Sequence, residues 1–235
     1  MPDYDLDTLL GINHKLSPHT KRDIFGIAFV EKQSFDYQKI NSEYYLAKYN
    51  NCSEKTPLIQ FKIGHGFMYD DWLKRYLNKP ISFLKKVGHC IAWVTPDVSI
   101  DMEATEAQAI GIIESVRWIG RLGQEMGQIV FPSVGWSRKE LDDICFAGLR
   151  DGSIFFISTL GVNNEQCKPN FLRGYKEMRR RYPNSKIVCI GKQIEGMDND
   201  VIYIDYQESF GYSSCLQYKL FTSLEVSKGD EKYGE

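Results

Sequence analysis

Between Ile91 and Lys192 one phrase recurs four times: a short apolar run, a few small or polar residues, then a segment with helical spacing. The runs are IAWV, QIVF, SIFFIS and KIVCIG, and the turns that follow are TPDVS, PSVGW, TLGV and K. Almost unbroken apolar runs read as strands covered on both faces, which is the habit of parallel sheets. Strands alternating with helices favour that arrangement, because each crossover returns the chain to the same edge. Just past the runs stand Asp97, Ser133, Trp136, Ser158, Thr159 and Lys192. In a parallel sheet these positions converge on the edge where open α/β sheets hold ligands.

The same reading places strands at 58–63, 91–95, 128–132, 153–158, 186–190 and 201–206. The expected fold class is α/β with a mainly parallel sheet of about six strands, either a partial TIM-like barrel or an open doubly wound sheet. A complete eightfold barrel takes about 250 residues, more than the 235 present. Residues 191–200 are marginal for a crossover helix, so the last strand is expected to pair antiparallel or to follow a tight loop. Helical material fills 69–86, interrupted by Pro80. The longest helix, about 104–126, opens with a T-x-x-Q capping box (Thr105, Gln108) and closes at Gly127. Ser137 and Glu140 form a second such box, with Trp136 and Leu141 as its hydrophobic staple. A further helix begins near Pro169 and stops at Pro183.

Three regions follow. Residues 1–57 read as an N-terminal arm and small β-containing lead-in, with strands in IFGIAFV (24–30) and EYYLAKY (43–49). Residues 58–225 form the α/β core, and 226–235 a disordered tail. A net charge of −2 gives no general pull toward nucleic acid or anionic lipid. The six cysteines (Cys52, Cys90, Cys145, Cys167, Cys189 and Cys215) are scattered without a C-x-x-C pair, and no metal site is expected. The polar, acidic start is no signal peptide. No run approaches the roughly 20 apolar residues of a membrane span, so a cytoplasmic protein away from membranes is expected.

Asp97, an acid beside a rigid proline at a strand end, suits a general base, nucleophile or hydroxyl anchor, and equally a loop cap. Ser99, Ser133, Ser158 and Thr159 offer hydroxyls, and the loop through Gly161 offers backbone N–H groups to an anion; turn capping is the alternative for each. Trp136 suits stacking on a base or sugar, or the staple alone. Arg117 and Arg121 lie one helical turn apart, within reach of a phosphate or of solvent. Arg173, Lys176 and Arg179 to Arg181 crowd one helix, as a nucleic-acid contact or a solvated face. Lys192 is a phosphate contact or a plain surface lysine, and His65 is the one histidine placed for proton transfer. Neither G-x-S-x-G nor a phosphate-binding G-x-x-x-x-G-K-[ST] occurs. No particular cofactor is implied, and the oligomeric state stays open.

The stretch PDVSI…RWIGRLGQEMGQIVFPSVGW…DDICFAGLRDGSIFFISTLGV…FLRGYKEMRRRYPNSKIVCIGK resembles domain-of-unknown-function family 4417, found in bacterial and phage proteins. The matching motifs are Pro96-Asp97-Val98-Ser99, Arg117 and Arg121, Pro132 to Trp136, Phe146-Ala147-Gly148, Ser158-Thr159-Leu160-Gly161, Phe171 to Met178, and Gly191. One departure lies in GHGFMYDDW (64–72), so Asp70 and Asp71 carry over only weakly. The resemblance implies association with phages or other mobile elements and no set activity. A looser similarity runs to queuine tRNA-ribosyltransferase-like barrels, through Asp97, Ser115 to Trp118, Leu141-Asp142-Asp143 and Gly161, but their zinc-binding cysteine cluster is missing. Two function classes stay open. One is a binding or enzymatic module for a nucleotide, nucleobase or sugar, with Asp97 and His65 as candidate catalytic residues. The other is a non-catalytic phage accessory protein that binds a host or phage macromolecule.

Overall fold

The computed structural model describes residues 16–67, 75–162 and 165–207. Seven strands run through them: β1 (Tyr45–Lys48), β2 (Lys62–His65), β3 (Ala92–Val94), β4 (Val130–Phe131), β5 (Ile154–Ser158), β6 (Lys186–Ile190) and β7 (Ile202–Ile204). Between them lie α1 (Pro80–Val87), α2 (Glu106–Glu125), α3 (Asp142–Cys145) and α4 (Lys168–Arg181). Every ladder is parallel, in two sheets ordered β1-β2-β3-β4 and β5-β6-β7. A single parallel bridge, Ser133 to Phe156, joins the sheets, with Val134 N donating to Phe156 O at 2.8 Å and Phe156 N to Pro132 O at 3.0 Å. The fold is thus α/β, and strand order follows chain order. The order reversal that gives a doubly wound sheet its switch point is absent among the described residues.

Strand side chains alternate between two layers, as a period of two requires. One layer is an inner cluster that takes Leu46, Ile63, Val94, Phe131, Phe156, Val188 and Ile204, one from each strand. Residues one step along face the helices: Ala47, Trp93 and Val130 pack with residues of α1 and α2, and Phe155, Ile157, Ile187 and Cys189 with α4. Seven flat strands would set their edges ~29 Å apart at normal strand spacing, yet Lys48 Nζ at the end of β1 lies 5.1 Å from the ring centroid of Tyr206 just past β7, so the strands curl toward each other. Tyr37, ahead of β1, spans the same gap: its hydroxyl donates to Ile187 O at 2.6 Å and accepts from Ile202 N at 3.0 Å. No β1–β7 ladder closes the ring among the described residues.

Local chemistry explains where expectation and structure part. Residues 24–30 are no strand. The Asp23 carboxylate accepts from Phe25 N and Ile27 N at 2.9 and 3.0 Å, closing a turn that competes with extended backbone. Only the isolated bridge Arg22 to Ala28 remains, with Ile24 93% exposed beyond it. The second expected strand of the lead-in shortens to β1 and pairs with β2, so this part of the chain enters the core sheet. A 3-10 turn, Ile59–Phe61, displaces the start of β2. The box at Thr105 forms as read, with Thr105 N donating to Gln108 Oε1 at 2.8 Å. The box at Ser137 does not: its hydroxyl donates to Asp101 O at 3.0 Å, and the helix begins with a 3-10 turn behind Arg138, which supplies no side-chain cap.

β7 pairs parallel with β6 although 191–200 hold no helix. That crossover is held instead by Asp198, whose carboxylate accepts from Tyr175 Oη and Arg179 Nε, both at 2.8 Å. No helix among the described residues is long and apolar enough to cross a membrane. The expected tail (226–235), Asp70 and Asp71 lie outside the described residues.

Candidate functional site

Because all seven strands run the same way, their C-terminal ends meet on one rim. A cleft of about 540 Å³ opens there. Its walls come from the residues after β2 (Phe67), β3 (Asp97 to Ile100), β4 (Val134 to Trp136), β5 (Ser158, Leu160, Gly161) and β7 (Tyr206), and from Phe171 in the first turn of α4. Asp97, Ser99, Trp136, Ser158 and Gly161 are thus brought together from separate stretches of sequence. His65, Arg117, Ser133, Thr159 and Lys192 do not line the cleft.

The five that stand apart each have a definite place. Ser133 is 4% exposed and joins the ends of β3 and β4. Its hydroxyl donates to Pro96 O at 2.9 Å and lies 3.0 Å from Thr95 Oγ1, which accepts from Ser133 N at 2.8 Å. Thr159 spends its hydroxyl on Lys192 O at 2.9 Å, which secures the turn after β6. Lys192 is exposed outside the cleft. His65 is fully buried at the end of β2, its Nδ1 accepting from Phe67 N at 3.3 Å.

Arg117 overturns both readings of its helix face, being neither a ligand contact nor a solvated residue but fully buried. Its guanidinium donates to Ala147 O at 3.1 Å, Ser133 O at 2.9 Å and Cys145 O at 3.4 Å. These carbonyls belong to the end of β4 and the exit of α3, where backbone acceptors lack ladder or helix partners. Burial lowers its pKa to about 10, opposed by charges that include Asp97 and Asp23. Arg117 therefore remains a cation near neutral pH and holds the floor of the rim together. Arg121, one turn on, pairs with Glu125 at 3.0 Å.

Trp136 is placed by a missing side chain. A Cβ at Gly174 would sit 2.1 Å from Trp136 Cδ1, so the indole lies against the bare backbone of α4. Its ring centroid is 5.1 Å from that of Phe171. The F-x-x-G-x-x-x-M pattern thereby acquires a physical meaning: Phe171 meets the indole, Gly174 admits it, and Met178 is buried in the cluster below. Ser158 Oγ donates to Ile190 O at 3.3 Å and accepts from Leu160 N at 3.0 Å, leaving acceptor capacity at the cleft wall. The turn it starts needs a left-handed residue, which Gly161 supplies at φ 84°.

Sequence reasoning missed Phe67, Phe171 and Tyr206. Tyr206 was within reach of the rule used for the other strands, since it stands two residues past the end of β7. Phe171 had no such signal, because it arrives from a helix. Among the described lining residues Asp97 is the only charged side chain, and four aromatic rings surround the space. Tyr49 lies near enough for Asp97 to raise its pKa further, although burial is the main cause; its hydroxyl donates to Val94 O. No three His, Cys, Asp or Glu side chains cluster closely enough for a metal ion among the described residues. Chemically, the cleft offers stacking faces, hydroxyls and one carboxylate.

The family described as "Domain of unknown function (DUF4417)" matches residues 27–207. The chain is similar to the Gene 1 protein of Mycobacterium phage D29, 26% identical over 129 residues that make up 54% of this chain and 48% of that protein. Similarity to the Gene 1 protein of Mycobacterium phage L5 is also 26% over 129 residues, 54% of this chain and 56% of that protein. The chain spans about half the length of these curated relatives. No solved structure matches it.

Proposed function

We propose, for a chain that belongs to the DUF4417 family, that the rim cleft binds an unphosphorylated ring compound, either a nucleobase or nucleoside or a sugar. The observation that carries this reading is the lining itself. Aromatic faces at Trp136, Phe171, Phe67 and Tyr206 surround a single carboxylate, Asp97, and no lysine or arginine lines the cleft among the described residues. Stacking favours a flat or pyranose ring, while a carboxylate accepts hydrogen bonds from ring N–H or hydroxyl groups and repels phosphate. Among the ligand classes that rim positions suggest, nucleotides therefore rank below their unphosphorylated counterparts. Any proton transfer at the site falls to Asp97, because His65 lies buried outside the lining.

The test is equilibrium binding of nucleobases, nucleosides, nucleoside monophosphates and simple sugars, read by native mass spectrometry and calorimetry. At least one unphosphorylated ring compound is expected to bind, and Asp97→Asn to weaken it about tenfold or more, the worth of a hydrogen bond to a charged group. An empty screen, or binding that Asp97→Asn leaves unchanged in a folded variant, overturns the reading.

A further inference from the structure

On the helix-facing side of the first sheet, Ala47, Gly64 and Trp93 stand side by side in register. Gly64 leaves a pit in this row, and two sulfurs fill it. A Cβ at position 64 would lie 3.0 Å from the Cys52 sulfur and 3.5 Å from the Cys90 sulfur. The first follows β1 by a 3-10 turn and is fully buried; the second stands in the turn before β3 and is partly exposed. Both are free thiols, pressed against the same face of one glycine. The Cys52 thiol is pushed far up, first by its hydrogen-bonding contact with Cys90 and then by burial, which sets the two sulfurs side by side.

We infer that Cys52 and Cys90 are a modification site at which a peroxide forms a disulfide across Gly64. The partly exposed Cys90 meets the oxidant: its sulfur takes one peroxide oxygen, giving a sulfenic acid and a molecule of water. The Cys52 sulfur then displaces the hydroxyl, which leaves as a second water with the Cys52 proton, and the S–S bond forms. Two thiols are oxidised while one hydrogen peroxide is reduced to two waters. The bond ties the loop after β1 to the turn before β3 across β2, whose end leads into Phe67 of the cleft. This chemistry stands independently of any ligand in that cleft.

The full chain, reduced and freed of reductant, is treated with hydrogen peroxide and mapped by mass spectrometry without reduction. The expected product is a Cys52–Cys90 linked peptide, lighter by two hydrogens than its reduced parts and separated again by dithiothreitol. The link should persist in Cys167→Ser, which removes an exposed thiol, and vanish in Cys90→Ser with Cys52 recovered as a thiol. Cys90 accumulating as sulfinic acid beside an intact Cys52 thiol overturns the inference, as does a Cys90 that peroxide leaves untouched.

Discussion

The two sheets are fastened to their helices by different chemistry. Around β1 to β4 the fasteners are amides. Gln128 accepts from Trp93 Nε1 at 2.8 Å and donates to Leu84 O at 2.9 Å, and Gln124 donates to Glu31 O at 2.8 Å while accepting from Glu31 N at 2.9 Å. Around β5 to β7 they are charges on α4: Arg173 to Asp142, Arg179 to Asp198 and Asp200, and Arg181 to Asp143 and Glu177. Backbone pairing differs in parallel. The β2–β3 and β3–β4 ladders pair two residues each, whereas β5–β6 pairs five. Short ladders leave strand position to side chains, and half-buried amides do that work without titrating. A long ladder positions its own strands, so ion pairs at the edge of the core, one of them on the buried Asp142, suffice to orient the helix above. Between the two lies a seam of one backbone bridge, reinforced by Ser133, Thr95 and Arg117.

This contrast can be broken at three points. The largest effect is expected at the seam: Arg117→Met should cost about 3–5 kcal/mol, since it strands three buried carbonyls in place of a satisfied network. Denaturant unfolding measures the loss, and hydrogen exchange should quicken first at Val134 and Phe156. A loss under about 1 kcal/mol would mean that the single bridge holds the seam without Arg117.

A smaller effect is expected from Gln128→Ala, about 1–2 kcal/mol, for an indole N–H left without its acceptor and a helix carbonyl reduced to its Gly88 N–H partner. Its cost should not change between low and high salt; a salt-dependent cost would contradict the amide reading of the first sheet.

The smallest effect belongs to Glu177. Hydrogen bonds from Arg180 and Arg181 lower its pKa from 4.5 to about 2. A carboxylate with a depressed folded-state pKa stabilises the fold above its unfolded value, and that stability is lost as pH falls through the folded one. The window therefore runs from pH 4.5 down to about 2. The group lies at the surface, so its share is no more than about 1 kcal/mol. Glu177→Gln should flatten the acid limb of a stability–pH curve in that window. An unchanged limb would show that α4 does not draw on this pair.

Much of the scaffold was legible from local pattern. Apolar runs marked six strands, T-x-x-Q marked the start of α2, and Pro169 marked the first turn of α4, because backbone propensity and capping act over a few residues. Of the residues expected on one rim, Asp97, Ser99, Trp136, Ser158 and Gly161 share the cleft, since parallel strands point their ends one way, whereas Ser133, Thr159, Lys192, His65 and Arg117 do not line it. Arg117 was misread because its spacing resembles that of a solvated helix face; the carbonyls that draw it inward come from α3 and β4. Ser137 carries a capping signature, but Asp101 captures its hydroxyl from a distant loop. For Phe171, the rim gains a side chain from the opposite layer, which no strand pattern announces.

By itself, then, the sequence determined a parallel α/β scaffold and the rim on which a site would form, because those depend on alternation, turn chemistry and chain direction. Only the tertiary structure decided which rim side chains face the cleft and which are consumed beneath it. Ser133 and Ser158 both follow or end a strand and both carry a hydroxyl. One is sealed by Thr95 and Pro96; the other gives its proton to Ile190 O yet still lines the cleft, because its hydroxyl borders open space instead of a second buried hydroxyl.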